Sequence, residues 1–119
     1  MASTKENNSP IYSERGGIRS GKSFWNAFNM TWPFAKIQIF SDHIILSYYP
    51  YTIKFQKSDI KSIQKYGGLF SKGIRIHHNK TEESPFILFC SFSVNWLLNN
   101  IQKSGFNVDF EKEKRTSQD

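Results

Sequence analysis

The chain carries seven short strand-like runs between residues 24 and 90, followed by a single amphipathic stretch at residues 93–103. The clearest runs alternate apolar and polar residues, the pattern of a strand with one face buried and the other in water. The last run is almost entirely apolar, which is typical of a strand buried on both faces. The runs are Phe24–Met30, Ala35–Ile39, Ile44–Tyr48, Tyr51–Gln56, Ile60–Lys65, Ile74–His77 and Phe86–Cys90. Because turn residues and short connections separate them, we expect a mainly β, seven-stranded antiparallel sandwich or partly open barrel, closed by one C-terminal α-helix.

The predicted helix has its large apolar residues on one side. These residues are Val94, Leu97, Leu98 and Ile101, spaced i, i+3, i+4 and i+7. Such a stripe requires a surface to cover, and the sheet is the candidate. Ser93 is a suitable N-cap, and Gly105 can adopt the left-handed conformation that ends a helix. Trp96 lies almost opposite the stripe, so it is exposed unless the helix is rotated from this register.

The ends of the chain are polar, and we expect them to form tails. Residues 1–22 and 111–119 carry too little apolar surface to offset the entropy of ordering them, which leaves one domain at residues 23–110. Within it, alternation at 106–110 predicts a short edge segment after the helix. Residues 1–22 also lack the apolar core of a signal peptide. The lone Cys90 is typical of a buried thiol in a reducing compartment, so the expected location is cytoplasmic, with the membrane periphery as an alternative.

Several short strings give the chain a resemblance to a known fold. They are Trp32-Pro33-Phe34-Ala35, Phe55-x-x-x-Asp59-Ile60 and Gly73-Ile74-Arg75-Ile76. With the order of elements over residues 24–108, they resemble the pleckstrin-homology-like superfold, and in particular small bacterial proteins of that class without assigned functions. The resemblance implies seven antiparallel strands in two near-orthogonal sheets, one closing helix, and a role in binding. Proteins of this class typically place a helix Trp against the core, and Trp96 departs from that pattern.

The string Gly16-x-x-x-x-Gly21-Lys22-Ser23 satisfies the P-loop expression for phosphate binding. A P-loop requires a buried strand before it and a helix N-terminus after it. The segment before this string is polar and is interrupted by Pro10, and residues 24–33 favour a strand over a helix. The alternative interpretation, a flexible tail that contains Gly and Ser, therefore fits better than a nucleotide site.

The remaining polar residues do not form a recognisable catalytic or metal site. His77 and His78 are adjacent, and neighbouring residues of a strand point to opposite faces, so this pair cannot chelate one ion. A metal site that combines one of them with Asp42 and His43 has no supporting spacing. The sequence also lacks paired carboxylates, a nucleophile elbow and a Cys–His dyad. We therefore predict that the protein is not an enzyme and holds neither a metal nor a cofactor.

Basic residues outnumber acidic ones by 16 to 10, which gives a net charge of +6. Such an excess suits a polyanionic surface. The candidate contacts to that surface are Lys54, Lys57, Lys61, Lys65, Lys72 and Arg75. The alternative is that these cations only protect strand edges from aggregation. Leu69 and Phe70, in the loop that Lys65 and Lys72 flank, form a predicted apolar tip for a membrane or a partner.

These features predict a non-catalytic binding module for protein–protein interaction or self-association, with exposed strand edges and Trp96 as anchors. The alternative is peripheral binding to anionic lipid through the basic residues and the loop at 66–72. That contact would depend on charge alone, because the basic pattern that usually recognises phosphoinositides around the first two strands is missing. Nucleic acid is the less favoured polyanion, since most aromatic residues fall on inward faces. No small-molecule substrate is expected.

Overall fold

The computed structural model describes residues 9–23, 26–67 and 72–114. These residues form eight β-strands, one α-helix and a short 3₁₀ helix at Lys57–Asp59. The elements are β1 (Tyr12–Gly21), β2 (Ala27–Ile39), β3 (His43–Tyr48), β4 (Tyr51–Gln56), β5 (Ile60–Gly67), β6 (Lys72–His78), β7 (Phe86–Cys90), α1 (Val94–Lys103) and β8 (Val108–Lys114). The protein is mainly β with one helix, as its sequence predicts, but it has eight described strands rather than seven.

Hydrogen bonds join the eight described strands in one sheet, in the order β4-β3-β2-β1-β7-β6-β5-β8. Neighbouring strands are antiparallel, except that β8 runs parallel to β5. β1 lies between β2 and β7 and so connects the two halves of the sheet. The sheet is not closed, and β4 and β8 are its edge strands.

The sheet curls around its core. The rings of Phe55 on β4 and His78 on β6 are 5.2 Å apart between centroids, although four strands separate β4 from β6 in the sheet order. The largest side chains that are fully buried in this core are Ile18, Ile37, Ile39, Ile44, Leu46, Phe55, Ile63, Ile74, Ile76, Ile87 and Phe89. Burial of each side chain of this kind contributes about 1.5–3 kcal/mol relative to its exposure.

α1 covers one side of the core and packs against β5, β6 and β8. Leu97, Leu98 and Ile101 are fully buried, whereas Trp96 is 61% exposed. The predicted stripe is therefore confirmed, and Trp96 lies on the outer face of the helix. Gly105 follows the helix with a φ of +94°, the left-handed conformation that its lack of a Cβ permits. With 10 residues, α1 is too short to cross a bilayer, and the described part of the chain contains no helix suited to doing so.

The N-terminal segment is a strand over most of its described length, so the prediction of a tail is wrong for Tyr12–Gly21. This segment forms β1 and pairs with β2 and with β7. Only one of its large hydrophobic side chains, that of Ile18, is fully buried, which is why its composition resembles a tail. Backbone hydrogen bonds on both sides stabilise it instead, because a buried peptide group must be paired.

Two other predicted boundaries also change. β8 extends to Lys114, so the predicted tail from residue 111 is wrong for its first four residues, and the edge segment expected at 106–110 is longer than the pattern indicates. β2 runs without a break from Ala27 to Ile39 and replaces two predicted strands. The stretch between those two predicted strands, at 31–34, is an irregular part of β2.

β7 is buried on both faces, as its apolar sequence predicts. Ile87 and Phe89 belong to the main core, whereas Phe86 and Leu88 form a smaller cluster with Tyr66. Four consecutive residues of β7 are buried in this way. The strand therefore separates two apolar clusters, and its backbone has little freedom to shift.

Gly73 allows β6 to approach β7 closely. A Cβ built at Gly73 would collide with the carbonyl oxygen of Phe89 and would lie 2.9 Å from the Cα of Cys90. Both atoms belong to the backbone of β7, which cannot move aside as the end of a flexible side chain could. The contact therefore requires glycine at this position.

We expect Gly73→Ala to lower the free energy of unfolding by about 1–3 kcal/mol, the usual cost of an extra group in a packed region. Chemical denaturation followed by tryptophan fluorescence measures this loss. Thr52→Ala is the matched control, because Thr52 is exposed on the edge strand β4. Equal denaturation midpoints for Gly73→Ala and the wild type would contradict the close approach.

Candidate functional site

A groove of about 1070 Å³ crosses β2, β1, β7, β6 and β5 and reaches the first turn of α1. Its lining residues lie near one row of the sheet, in which Gly17 pairs with Cys90, Cys90 with Gly73, and Gly73 with Tyr66. Neighbouring strands lie about 4.8 Å apart, so the path from β2 to β5 is about 19 Å long. This size suits a short segment of polymer or a small ligand.

The groove carries positive charge. Arg19 of β1, Lys65 of β5 and Lys72 of β6 line it, and its described lining includes no Asp or Glu. The Arg19 guanidinium donates a hydrogen bond to the Asn29 side-chain oxygen at 3.4 Å, which links it to β2. Anionic groups are therefore the favoured ligands of this surface.

Two exposed aromatic side chains stand at the β2 end of the groove. The pairing of β1 and β2 shifts at Gly17, where four residues of β2, 31–34, lie opposite one residue of β1. A bulge of this kind redirects side chains. Trp32 is 54% exposed, and its ring lies edge-to-face on that of Phe92, with centroids 5.9 Å apart. Phe92 is 87% exposed, so this pair offers a large apolar contact area.

Glu14 links β1 to the start of α1. Its carboxylate accepts hydrogen bonds from the hydroxyls of Tyr12 at 2.6 Å, Ser93 at 3.0 Å and Ser91. The Ser93 N–H in turn donates to the Ser91 Oγ at 2.9 Å. Ser93 thus binds Glu14 and makes no side-chain cap of its own, which corrects the predicted capping role. A negative charge beside a helix N-terminus is stabilising. The network also fixes Ser91, which lines the groove.

The structure brings two of the six predicted basic contacts into the groove, Lys65 and Lys72. These two residues flank the loop between β5 and β6, where Gly67 pairs with Lys72. Lys54 and Lys61 are exposed on β4 and β5 and are not among the described lining residues. The predicted basic cluster is therefore distributed over more than one part of the surface.

The other two predicted cations lie over aromatic rings. The Lys57 Nζ is 5.0 Å from the centroid of the Phe106 ring, and the Arg75 guanidinium carbon is 4.8 Å from that of Phe86. Both distances fit cation–π contacts. These contacts give Lys57 and Arg75 a structural role, in addition to any attraction for an anionic partner.

The remaining predicted contacts are apolar. Leu69 and Phe70 lie outside the described residues, so the predicted apolar tip stays a prediction. Trp96 is exposed on α1 and is not among the described residues that line the groove. Asn95, its neighbour, does line it. Trp96 therefore follows a groove residue in the sequence, but its own side chain is exposed outside the described lining.

The string that matches a P-loop does not form a loop. Residues 16–21 lie inside β1 and pair with β2 and β7 on either side. Their peptide groups are largely committed to the sheet, whereas a P-loop directs several N–H groups at one phosphate.

The adjacent histidines bind separate partners. The His77 Nε2 lies 3.0 Å from the Gln64 side-chain oxygen. The His78 Nδ1 accepts a hydrogen bond from the Lys80 N–H at 3.0 Å, so its Nε2 carries the proton that is donated to the Ser84 carbonyl at 2.7 Å. The described residues include no group of three or more His, Cys, Asp or Glu side chains arranged to hold a metal ion.

Sequence reasoning missed several residues of the groove. Arg19 and Gly17 belong to residues 1–22, whose composition predicts a tail, and Phe92 falls in the connection between β7 and α1. Trp32 stands out in the sequence only as part of the string Trp32-Pro33-Phe34-Ala35, which does not mark it as a groove residue. The positive charge of Arg19 among small residues was a usable signal, but no local pattern pairs this segment with β7.

Comparison of the chain with protein-family models, with curated proteins and with solved structures finds no match in any of the three. The geometry and charge of the groove are therefore the basis for the function proposed below.

Tyr12 provides a test of the network around Glu14. Burial raises the pKa of the Tyr12 hydroxyl to about 12, and its hydrogen bond to Glu14 and the charge of that carboxylate contribute further. The neutral form is thus favoured in the folded protein. Because an unfolded tyrosine ionises near pH 10, the stabilisation by Tyr12 is complete below about pH 10 and is lost as the pH rises towards 12.

We expect an ultraviolet titration of the wild type minus that of Tyr12→Phe to show one tyrosine that ionises near pH 12. The stability advantage of the wild type over this variant should shrink between about pH 10 and pH 12. Subtracting the variant removes the signals of the other tyrosines. Ionisation of Tyr12 near pH 10 would show that the hydroxyl is not held against Glu14.

Proposed function

We propose that this chain is a non-catalytic binding module that takes a segment of a protein partner into the groove. The observation that carries this proposal is the exposed contact between Trp32 and Phe92 beside a positively charged groove. Aromatic side chains carry much of the binding energy at protein interfaces, particularly next to a pocket. Arg19, Lys65 and Lys72 would add charge complementarity, which favours correct pairing and faster association.

The groove is a better candidate than the edge strand β4 for a contact between proteins. β4 has one hydrogen-bonded neighbour in the sheet, β3, so a second chain could in principle extend the sheet there. However, Lys54 is exposed on β4, and lysine on an edge strand discourages pairing between edges. Self-association, where it occurs, is therefore expected to use the groove and its aromatic pair.

Two further proposals follow from the sequence. The order of the strands and the single helix supports a relation to the pleckstrin-homology-like superfold, in which binding modules are common. The single cysteine, Cys90, supports a cytoplasmic location, because one thiol cannot form an internal disulfide.

We expect selection from a displayed library of random peptides to yield sequences that bind the wild type and not the double variant Trp32→Ala/Phe92→Ala. Removing two exposed side chains should weaken binding at least tenfold while thermal stability is retained, since neither side chain lies in the core. Light scattering across a concentration series tests in parallel whether a second copy is the partner.

Tyr49→Ala is the matched control, because Tyr49 is also 87% exposed but lies in the turn after β3 and does not line the groove. Trp96→Ala tests the predicted anchor on α1 and is expected to weaken binding without lowering stability. If no peptide distinguishes the wild type from the double variant and the mass of the protein does not change with concentration, the proposed function is wrong.

Peripheral binding to anionic lipid is the second candidate. It is favoured by Lys65 and Lys72, which flank one loop and have no carboxylate partner among the described residues. Such attraction would contribute about 1 kcal/mol for each Lys near the surface and would fall with salt.

If lipid is the partner, the protein should pellet with vesicles that contain phosphatidylserine at low salt, and release progressively as salt is added. It should not pellet with neutral phosphatidylcholine vesicles. Lys65→Gln/Lys72→Gln should reduce pelleting more than Lys54→Gln/Lys61→Gln, which removes the same charge elsewhere. Absence of pelleting at low salt would exclude this candidate.

A further inference from the structure

We infer that the partner segment in the groove is an acidic, extended stretch of polypeptide with an apolar side chain at one end. This inference rests on the proposed function and adds the chemical class of the partner. It is carried by the distribution of charge, hydrogen-bonding groups and aromatic rings along the groove.

Charge is the first argument. Three cations line the groove, and its described lining contains no carboxylate, although the whole chain has 10 acidic residues. Lys65 and Lys72 lie at the β5 and β6 end, whereas Arg19 lies on β1, two strands from β6 in the sheet order. Carboxylates spaced along a peptide would match cations that are spread across several strands.

Uncharged polar groups are the second argument. Asn29 and Thr31 of β2, Ser91 after β7 and Asn95 of α1 also line the groove. The side chains of Asn29, Thr31 and Asn95 can donate to and accept from the peptide groups of an extended segment, which exposes both kinds of group along its length. The Ser91 hydroxyl already donates to Glu14 and accepts from the Ser93 N–H, so it shapes the groove instead. The Ser91 N–H itself donates to the Lys72 carbonyl at 3.1 Å, which holds the end of β7 against the start of β6.

The length of the groove and the position of its aromatic pair indicate how long the partner segment is and where its apolar side chain lies. At about 3.3 Å per residue, the path of about 19 Å from β2 to β5 accommodates about six extended residues. Trp32 and Phe92 mark the β2 end of that path, so an apolar side chain of the partner is expected there. The acidic side chains are expected towards Lys65 and Lys72.

Other polyanions fit these features less well. A membrane surface is broad and cannot enter a groove that runs across the sheet. Binding of single-stranded nucleic acid usually relies on ring faces that are open for base stacking. Here Trp32 and Phe92 meet edge-to-face at an interplanar angle of 63°, so the edge of one ring covers a face of the other.

The single cysteine provides a direct test, because Cys90 lines the groove and is the only thiol in the chain. Calorimetry would measure the affinity of a synthetic peptide that has alternating Glu residues and one terminal Phe. The rate at which iodoacetamide alkylates Cys90 would report whether that peptide occupies the groove. The comparison peptides replace every Glu by Gln or by Lys and keep the terminal Phe.

We expect the Glu peptide to slow alkylation of Cys90 and to bind at least tenfold more tightly than the Gln peptide, with an affinity that falls as salt is added. Lys65→Gln/Lys72→Gln should weaken binding of the Glu peptide about tenfold, the effect of two ion pairs of modest strength. Lys54→Gln/Lys61→Gln removes the same charge outside the groove and should have little effect.

The outcomes separate this inference from the proposed function. Equal binding of the Glu and Gln peptides, lost in Trp32→Ala/Phe92→Ala, would overturn the acidic class and leave the binding module intact. Failure of all three peptides to protect Cys90 and of the library to yield binders would overturn both. Tighter binding of oligothymidylate or of phosphatidylserine vesicles than of the Glu peptide, dependent on Lys65 and Lys72, would also overturn the inference.

Discussion

The fold depends on the insertion of β1 between β2 and β7. This strand pairs on one side with an antiparallel group of three strands and on the other with the group that contains β8 and supports α1. Its hydrogen bonds therefore connect the two halves of the sheet. Ile18 contributes a fully buried side chain to the core. The Glu14 carboxylate accepts hydrogen bonds from the hydroxyls of Ser91 and Ser93, next to the start of α1. The strands on each side of β1 pair among themselves, and β1 joins the two groups into one sheet.

The same insertion creates the groove. Gly17 of β1 lies opposite the irregular part of β2 and pairs with Cys90 at the end of β7. A Cβ at Gly17 would lie 2.8 Å from the Met30 carbonyl oxygen, so a larger residue would push the two strands apart. The shift in pairing also exposes Trp32. The continuity of the sheet and the shape of the groove therefore both depend on β1.

The sequence predicts those parts of the fold that depend on local patterns. The stripe at Leu97, Leu98 and Ile101 identifies both the helix and the exposed position of Trp96. Alternation identifies β4 to the residue, and the largely apolar run at 44–48 identifies β3 almost to the residue. β1 is missed because its stability comes from backbone pairing with segments that are distant in sequence, and its side chains are mostly small or polar. The groove is missed for the same reason, since it combines residues from five strands, and only Lys65 and Lys72 are suggested by charge.

The chemical groups that define the groove are separate from those that stabilise the fold. The core consists of apolar side chains on the inner side of the sheet and on α1, whereas Trp32 and Phe92 lie on a bulge and on a connection after a strand end. Exposed aromatic residues at such positions contribute little to stability, and their contact with water has a free-energy cost that binding would relieve. Lys65 and Lys72 flank a loop, where charge also contributes little to folding. Substitutions in the groove should therefore change binding, and substitutions in the core should change stability. Such a separation is expected when the exposed aromatic and basic side chains serve a binding site and do not complete the core.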